Sequence, residues 1–361
     1  MEYKRLGEYI EPVDERNSKL EIKLSQGICN EKYFQDPRQV AENSAADKIV
    51  RRGYFAYNRA TTRNGEKISI AYREGPDCTV SSAYQVFRIK DEEKLNPKYL
   101  LMWYKRPDFD KYARFKSHGS AHEFFEYEEM CNVRIPLPSI ERQREIVLEY
   151  ETLTNRIRLN NQMIQHLEAT AQALNRKTFV DNIDKENLPE GWRMGTLSGL
   201  AVLKAGGDKP MDFSEIKTET YNVPVYANGI ENKGIFGYTT RPVIKAKSIT
   251  ISARGTIGYC FLRKEPYVPI VRLVVVAPHD EVMAQYLFYY LNASNIKGSG
   301  SVQSQLTVPD LEGREIKIPP KQMIQEFSDK VEIIDNSISF CEKENEKLIE
   351  LQSLLLAKMG Q

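Results

Sequence analysis

Arginine, asparagine and threonine stand among aromatic residues in RRGYFAYNRATTRNGEK, residues 51–67. Arg51, Arg52, Arg59, Arg63 and Lys67 alternate with Tyr57, Asn58, Thr61 and Thr62. This mixture suits nucleic acid. Arginine can clamp a guanine edge, asparagine an adenine, and a threonine methyl can meet a thymine methyl, while lysines and hydroxyls serve phosphates. A second cluster, ARFKSHGSAHEFF (113–125), sets Lys116, His118, Ser120 and His122 around one glycine.

The later half of the chain offers similar chemistry. ANGIENKGIFGYTTR (227–241) carries Asn228, Asn232 and Lys233, and SARGTIG (252–258) carries Arg254 and Thr256. NIKGSGSVQSQL (295–306) brings Lys297, Ser299, Ser301, Gln303, Ser304 and Gln305 on a glycine-rich loop suited to close approach to a backbone. Taken singly, each segment also reads as an ordinary solvated loop. Two sets at matching places in the chain favour binding over that reading.

Several catalytic signatures are only imitated. LNPKY (95–99) lacks the second proline of an amino-methyltransferase motif, and Asn96 as a helix cap before Pro97 explains it better. Pro309, Asp310, Glu315 and Lys317 mimic a nuclease set at too short a spacing. His118 and His122 have a metal-like separation without an evident third ligand, so no metal site is expected. A phosphate-cradling GxxxxGK[ST] loop is missing, which argues against nucleotide hydrolysis by this chain. No catalytic residue is assigned.

Bulk properties frame these segments. The 361 residues are 41% hydrophobic and 28% charged, enough for two or three domains with real cores. Apolar runs are far shorter than a bilayer span, and MEYKRLGEY lacks the apolar stretch of a secretory signal. Cys29, Cys78, Cys131, Cys260 and Cys341 are scattered, as in a reduced, cytoplasmic protein. The net charge of +1 demands that any nucleic-acid surface arise from local clustering.

The elements that must carry the clusters are written twice. Pro138 and Pro319 stand 181 positions apart. At the same offset Gly119-Ser120 matches Gly300-Ser301 and Ile135 matches Ile316. Tyr99-Leu100 pairs with Tyr286-Leu287 at 187, and Arg5-Leu6-Gly7 with Arg193-Met194-Gly195 at 188. Each copy has a globular part with strand-like runs such as Val80–Ile89 or Ser248–Ser252, then a helix, a Gly-Ser loop and a last strand. Each then enters a long helical pattern, through IPLPSIERQREIV (135–147) or IKIPPKQMIQEFS (316–328). Ser139 is a good N-cap, and no glycine or proline follows to about Val180.

Apolar residues on the first helix recur at 3.5-residue spacing, the mark of a coiled-coil seam. The seam takes Ile146, Leu153, Ile157, Leu167 and Leu174 on the first helix, and Phe327, Val331, Ile334, Ile338, Leu348 and Leu355 on the second. About 40 residues make a rod of roughly 60 Å. Asn160 interrupts the seam, either as a buried register marker or as a solvent-facing irregularity. The expected fold is α+β: a domain over 1–138, a long helix over 139–182, a domain over 183–319 and a helix over 320–361. The helices pair as an antiparallel coiled coil that relates the halves by a pseudo-two-fold axis.

With both launchers, PVYANGI (224–230), SARGTIG (252–258), Tyr267-Val268-Pro269 and the Gly300-Ser301 loop, the chain resembles the specificity (S) subunits of Type I restriction–modification systems along nearly its whole length. The first half carries Asn58-Arg59-Ala60-Thr61-Thr62 where the second has its RxGTIG. The resemblance implies a non-catalytic subunit. Its two target-recognition domains would each read one half of a bipartite double-stranded DNA site. Its helices would set the spacer and dock two methyltransferase (M) subunits. S-adenosylmethionine, ATP and Mg would belong to partner subunits, including the restriction (R) subunits of a full complex. A coiled-coil scaffold whose repeated domains bind protein or RNA is the competing reading, and a truncated nuclease or methyltransferase is a third.

Overall fold

The computed structural model describes residues 3–37, 44–61, 67–117, 123–271, 273–294, 296 and 305–360. The chain divides into two units: Met1–Asn161 with Glu342–Gln361, and Gln162–Cys341.

The first unit is built on a four-stranded antiparallel sheet in the order Ile10–Val13, Tyr84–Ile89, Phe55–Asn58, Ile70–Tyr72. Its inward face is aromatic. Phe55 stacks on Phe87 at 5.1 Å, and Tyr57 meets Phe125 edge-on at 6.1 Å. The helix Pro97–Tyr104 covers this core, starting where Asn96 accepts hydrogen bonds from the amides of Lys98 and Tyr99. The expected cap is therefore present. The chain enters and leaves side by side, because Tyr3–Arg5 pairs antiparallel with Arg134–Pro136.

The second unit repeats the plan. Its sheet runs Ala201–Ala205, Leu273–Pro278, Ser248–Ser252, Cys260–Arg263, again all antiparallel. The helix Met283–Ala293 covers it, and Arg193–Thr196 pairs with Glu315–Ile318. The Tyr99 hydroxyl donates to the Pro136 carbonyl at 2.9 Å, and the Tyr286 hydroxyl donates to that of Lys317. These are the same bond in two copies, so the 187 offset of the tyrosines holds. The 188 offset does not. Leu6 N donates to Val133 O at 2.8 Å and Leu197 N to Arg314 O at 2.9 Å, so Leu6 answers to Leu197 rather than Met194.

One helix spans Ile140–Phe179 and another Lys321–Lys358. Ser139 caps the first, accepting from Arg142 N at 3.3 Å. In the first unit its early turns pack on the last turns of the second helix. Thr154 Oγ1 accepts from Gln352 at 2.7 Å, and Arg156 grips Glu344 with two 3.0 Å bonds. Asn160 is 5% exposed and donates to Asn345 and Glu344, which decides for a buried register marker. In the second unit Phe179 lies 4.9 Å from Phe327, ring to ring. In the first unit rising numbers on one helix meet falling numbers on the other, so the pairing there is antiparallel.

Among the seam residues Ile146, Phe327 and Val331 are buried. Leu153, Ile157, Leu167, Leu174, Ile334, Ile338, Leu348 and Leu355 are half-buried. The first unit's core takes in Ile146 and Val147, and the second's takes in Phe179, Ile324 and Phe327. Each helix therefore serves as a wall of a globular core as well as half of a pair.

Candidate nucleic-acid interface

In the first unit the strand Phe55–Asn58 runs into the segment 59–61. That segment lies against 123–125 through the bridge Ala60↔Phe124, with Phe125 N donating to Arg59 O at 2.9 Å and Thr61 N to Glu123 O at 3.0 Å. The structure thus joins the two clusters of the first half. Asn58 is half-buried, and its Oδ1 accepts from Ala60 N at 3.1 Å. The Arg59 guanidinium lies 5.7 Å from the Phe124 ring and reaches Glu126 at 3.3 Å. Thr62, Arg63, His118, Ser120 and His122 lie outside the described residues.

Other candidates in this unit fall elsewhere. Tyr57 is 0% exposed and donates to Phe125 O at 3.2 Å, so the contact role expected of it gives way to packing. Strand alternation puts it on the same face as Phe55, in the aromatic core, while Ala56 is buried on the other face. Thr61 is buried, with its hydroxyl on Glu123 O. Arg51 and Arg52 precede the strand and so sit at its opposite end from Arg59. Arg51 is held by Glu15 and Asp77, and Arg52 is exposed with its amide on Asp77. Lys67 pairs with Glu31 at 3.0 Å and Lys116 with Glu129 at 3.6 Å.

The second unit holds a more complete arrangement. The loop after Ser248–Ser252 is closed by Ser252 N on Tyr259 O at 2.9 Å and Gly258 N on Ser252 O at 3.0 Å. Asn228 ties it to the turn 227–234. Its Nδ2 donates to Arg254 O at 2.6 Å, and its Oδ1 accepts from Ala253 N and Arg254 N at 3.0 and 3.3 Å. Asn228 is therefore a clamp, its amide spent on backbone. Arg254 is half-buried, Thr256 exposed, and the Arg254 guanidinium has no hydrogen-bond or ion-pair partner among the described residues. Leu306 N donates to Ala253 O at 2.8 Å, the counterpart of Phe125 N on Arg59 O. Gln305 beside it is exposed, whereas Lys297, Ser299, Ser301, Gln303 and Ser304 lie outside the described residues.

The turn itself is unusual. Asn232 and Lys233 have φ of 46° and 52°, followed by Gly234 at 79°. A Cβ on Gly234 would stand 2.7 Å from Ala227 O, so only glycine fits there. Both Asn232 and Lys233 are exposed. Sequence reasoning overlooked Arg263, which donates to Lys233 O at 2.7 Å and to Thr250 Oγ1 at 2.9 Å. Its guanidinium lies 3.5 Å from the centroid of the Tyr226 ring. An arginine ending the strand CFLR is its only trace in the sequence.

The enzyme look-alikes are accounted for as structure. Asp310 completes a capping box with Thr307, Glu315 pairs with Lys185, and Lys317 donates to Ile183 O at 2.5 Å. Among the described residues no group of three His, Cys, Asp or Glu side chains could hold a metal.

Comparison with known proteins finds similarity along most of the chain. The model of the type I restriction modification DNA specificity domain matches residues 45–169 and 189–351. A putative type I specificity subunit of Mycoplasma pneumoniae is 29% identical over 303 residues, covering 79% of this chain and 85% of that protein. The HindI specificity subunit of Haemophilus influenzae is 20% identical over 403 residues, covering 87% of each. The crystal structure of a Type-I restriction-modification system S subunit from M. genitalium aligns with all of this chain and 96% of its own, at TM-score 0.63 and 14% identity.

Proposed function

The chain belongs to the type I restriction modification DNA specificity family, and on that premise we propose that it is the specificity subunit that reads a two-part DNA sequence, one part with each unit. The observation that carries this reading is the paired loop. In each unit a loop leaves the end of the third strand of its four-stranded sheet and is pinned by an equivalent backbone bond, Phe125 to Arg59 and Leu306 to Ala253. The mount is common to both, while the residues on it differ, SARGTIG in one and NRATT in the other. Two readers of unlike half-sites need this combination.

The chemistry belongs to companions. Two methyltransferase subunits dock along the helices and modify adenine with S-adenosylmethionine, and restriction subunits using ATP and Mg join the complete assembly. The chain acts on cytoplasmic DNA, and among the described residues no helix is long and apolar enough to cross a membrane. A net charge of +1 supports weak DNA binding by the chain alone, with phosphate contacts added by its partners.

The test is methylation mapping in cells that express the chain with its methyltransferase subunits. Modified adenines should mark one bipartite sequence of constant spacing. Replacing residues 1–138 by the corresponding domain of a relative should change one half of that sequence. A change in both halves or in neither would refute the division of labour.

A further inference from the structure

Arg263 is 5% exposed, yet no carboxylate pairs with it among the described residues. Burying a charge without a counter-charge is expensive, and folds keep such a group only where its contacts achieve something. Here they do. The guanidinium lies over the rings of Tyr226 and Phe261, at 3.5 and 4.8 Å from their centroids. It spends its donors on Thr250 Oγ1 in the sheet and on Lys233 O in the turn. Arg263 thus bolts the turn to the sheet.

The turn needs a bolt. Asn232 and Lys233 are consecutive non-glycine residues in the left-handed region, which side chains resist and which persists where surroundings over-determine it. Ala227 N bonds Gly234 O, Lys233 N bonds Ile230 O and the Ile235 amide bonds Asn232 O, and together they close the turn, but none of these three reaches the Lys233 carbonyl. The 2.7 Å bond from Arg263 to Lys233 O does. Asn228 then couples the same turn to the loop bearing Arg254 and Thr256.

We propose that Arg263 is a positioning residue for sequence reading by the second unit: it holds the 227–234 turn in its strained form and so fixes where Asn232, and through Asn228 also Arg254, meet the DNA. This rests on the DNA-reading function above. It adds a residue that contacts no base and yet sets base preference, because hydrogen-bond readout is lost when its donors are free to wander.

The experiment uses the full chain assembled with its methyltransferase subunits and a randomised DNA library. The wild-type assembly should select two half-sites. Arg263→Lys keeps the charge but cannot span Thr250 Oγ1 and Lys233 O together. It should lower base discrimination in one half-site about tenfold and leave the other half-site as an internal control. Arg263→Gln, which shortens the reach and removes the charge, should do the same, so that a folding failure of either variant leaves the other to report. Amide exchange at Gly234 should quicken in the variant that folds. If the wild type selects two half-sites and a folded variant keeps full discrimination in both, the role of Arg263 is refuted while the function stands. Loss in both half-sites together would also refute it, as a general folding effect. If the wild type selects no two-part sequence, the function falls and this role with it.

Discussion

Asn160 and Asn345 face each other across the two long helices, the amide of one donating to the carbonyl of the other at 3.0 Å with both side chains under a tenth exposed. Asn345 in turn donates to Asn161 at 2.9 Å. At the 181 offset, Asn160 corresponds to Cys341 and Asn345 to Ile164, so the polar pair has an apolar counterpart in the other copy. A buried polar pair of this kind specifies register at some cost in stability.

Removing one member should therefore hurt more than removing both. Asn160→Leu strands the side-chain carbonyl of Asn345 and should cost about 1–3 kcal/mol. Asn160→Leu with Asn345→Leu should recover most of that loss. Thermal unfolding of the wild type, Asn160→Leu, Asn345→Leu and the double variant checks this, and additive losses would contradict it.

The neighbouring ion pair makes the helices sensitive to acid. The Glu344 carboxyl is held below its ordinary value of 4.5 by its hydrogen bonds from Arg156 and then Asn160. A carboxylate depressed by folding contributes its stability above the unfolded value and loses it as pH falls through the folded one. Melting temperature should decline as pH drops below about 4.5, and Glu344→Gln should flatten that decline. An unchanged acid limb in the variant would exclude this pair as a contributor.

Asn228→Ala should act locally. It removes the bonds that fasten the 227–234 turn to Ala253 and Arg254, at a cost of about 2 kcal/mol. Hydrogen exchange should accelerate at the Ala253 and Arg254 amides and stay unchanged in the strand Leu273–Pro278.

Arg254→Ala should separate binding from stability. With no side-chain partner to lose among the described residues, the variant should keep its unfolding free energy within about 0.5 kcal/mol of the parent. DNA binding by the assembly should weaken by about 1–3 kcal/mol with relaxed preference at one base if Arg254 reads an edge. A uniform loss with a shallower salt dependence would assign it to a phosphate instead. Titration at several salt concentrations distinguishes the two.

The long-range plan was legible because repetition and seam spacing are sequence properties. The 181 offset located both launchers, and the spacing of Ile146 and Leu153 marked the helix face that meets its partner. The strand Ser248–Ser252 also matched its expected limits. What stayed hidden depends on contacts between distant residues. Tyr57 looks like a binding aromatic until the alternation of its strand is known, and Arg51 looks free until Glu15 and Asp77 fold beside it. The amide of Asn228 could have met a base, but backbone 25 residues onward claims it. Arg263 had no motif around it, since its meaning lies in Tyr226, Thr250 and Lys233, which only the fold assembles.

Tyr3–Arg5 beside Arg134–Pro136, and Arg193–Thr196 beside Glu315–Ile318, have a consequence for inheritance. A genetic crossover within each pair of adjoining strands would lift out a whole globular segment and seat another on the same two-stranded base. The helix that follows would keep its phase. New target sequences could then arise by exchange of intact cassettes, without waiting for point mutations to rebuild a surface one side chain at a time.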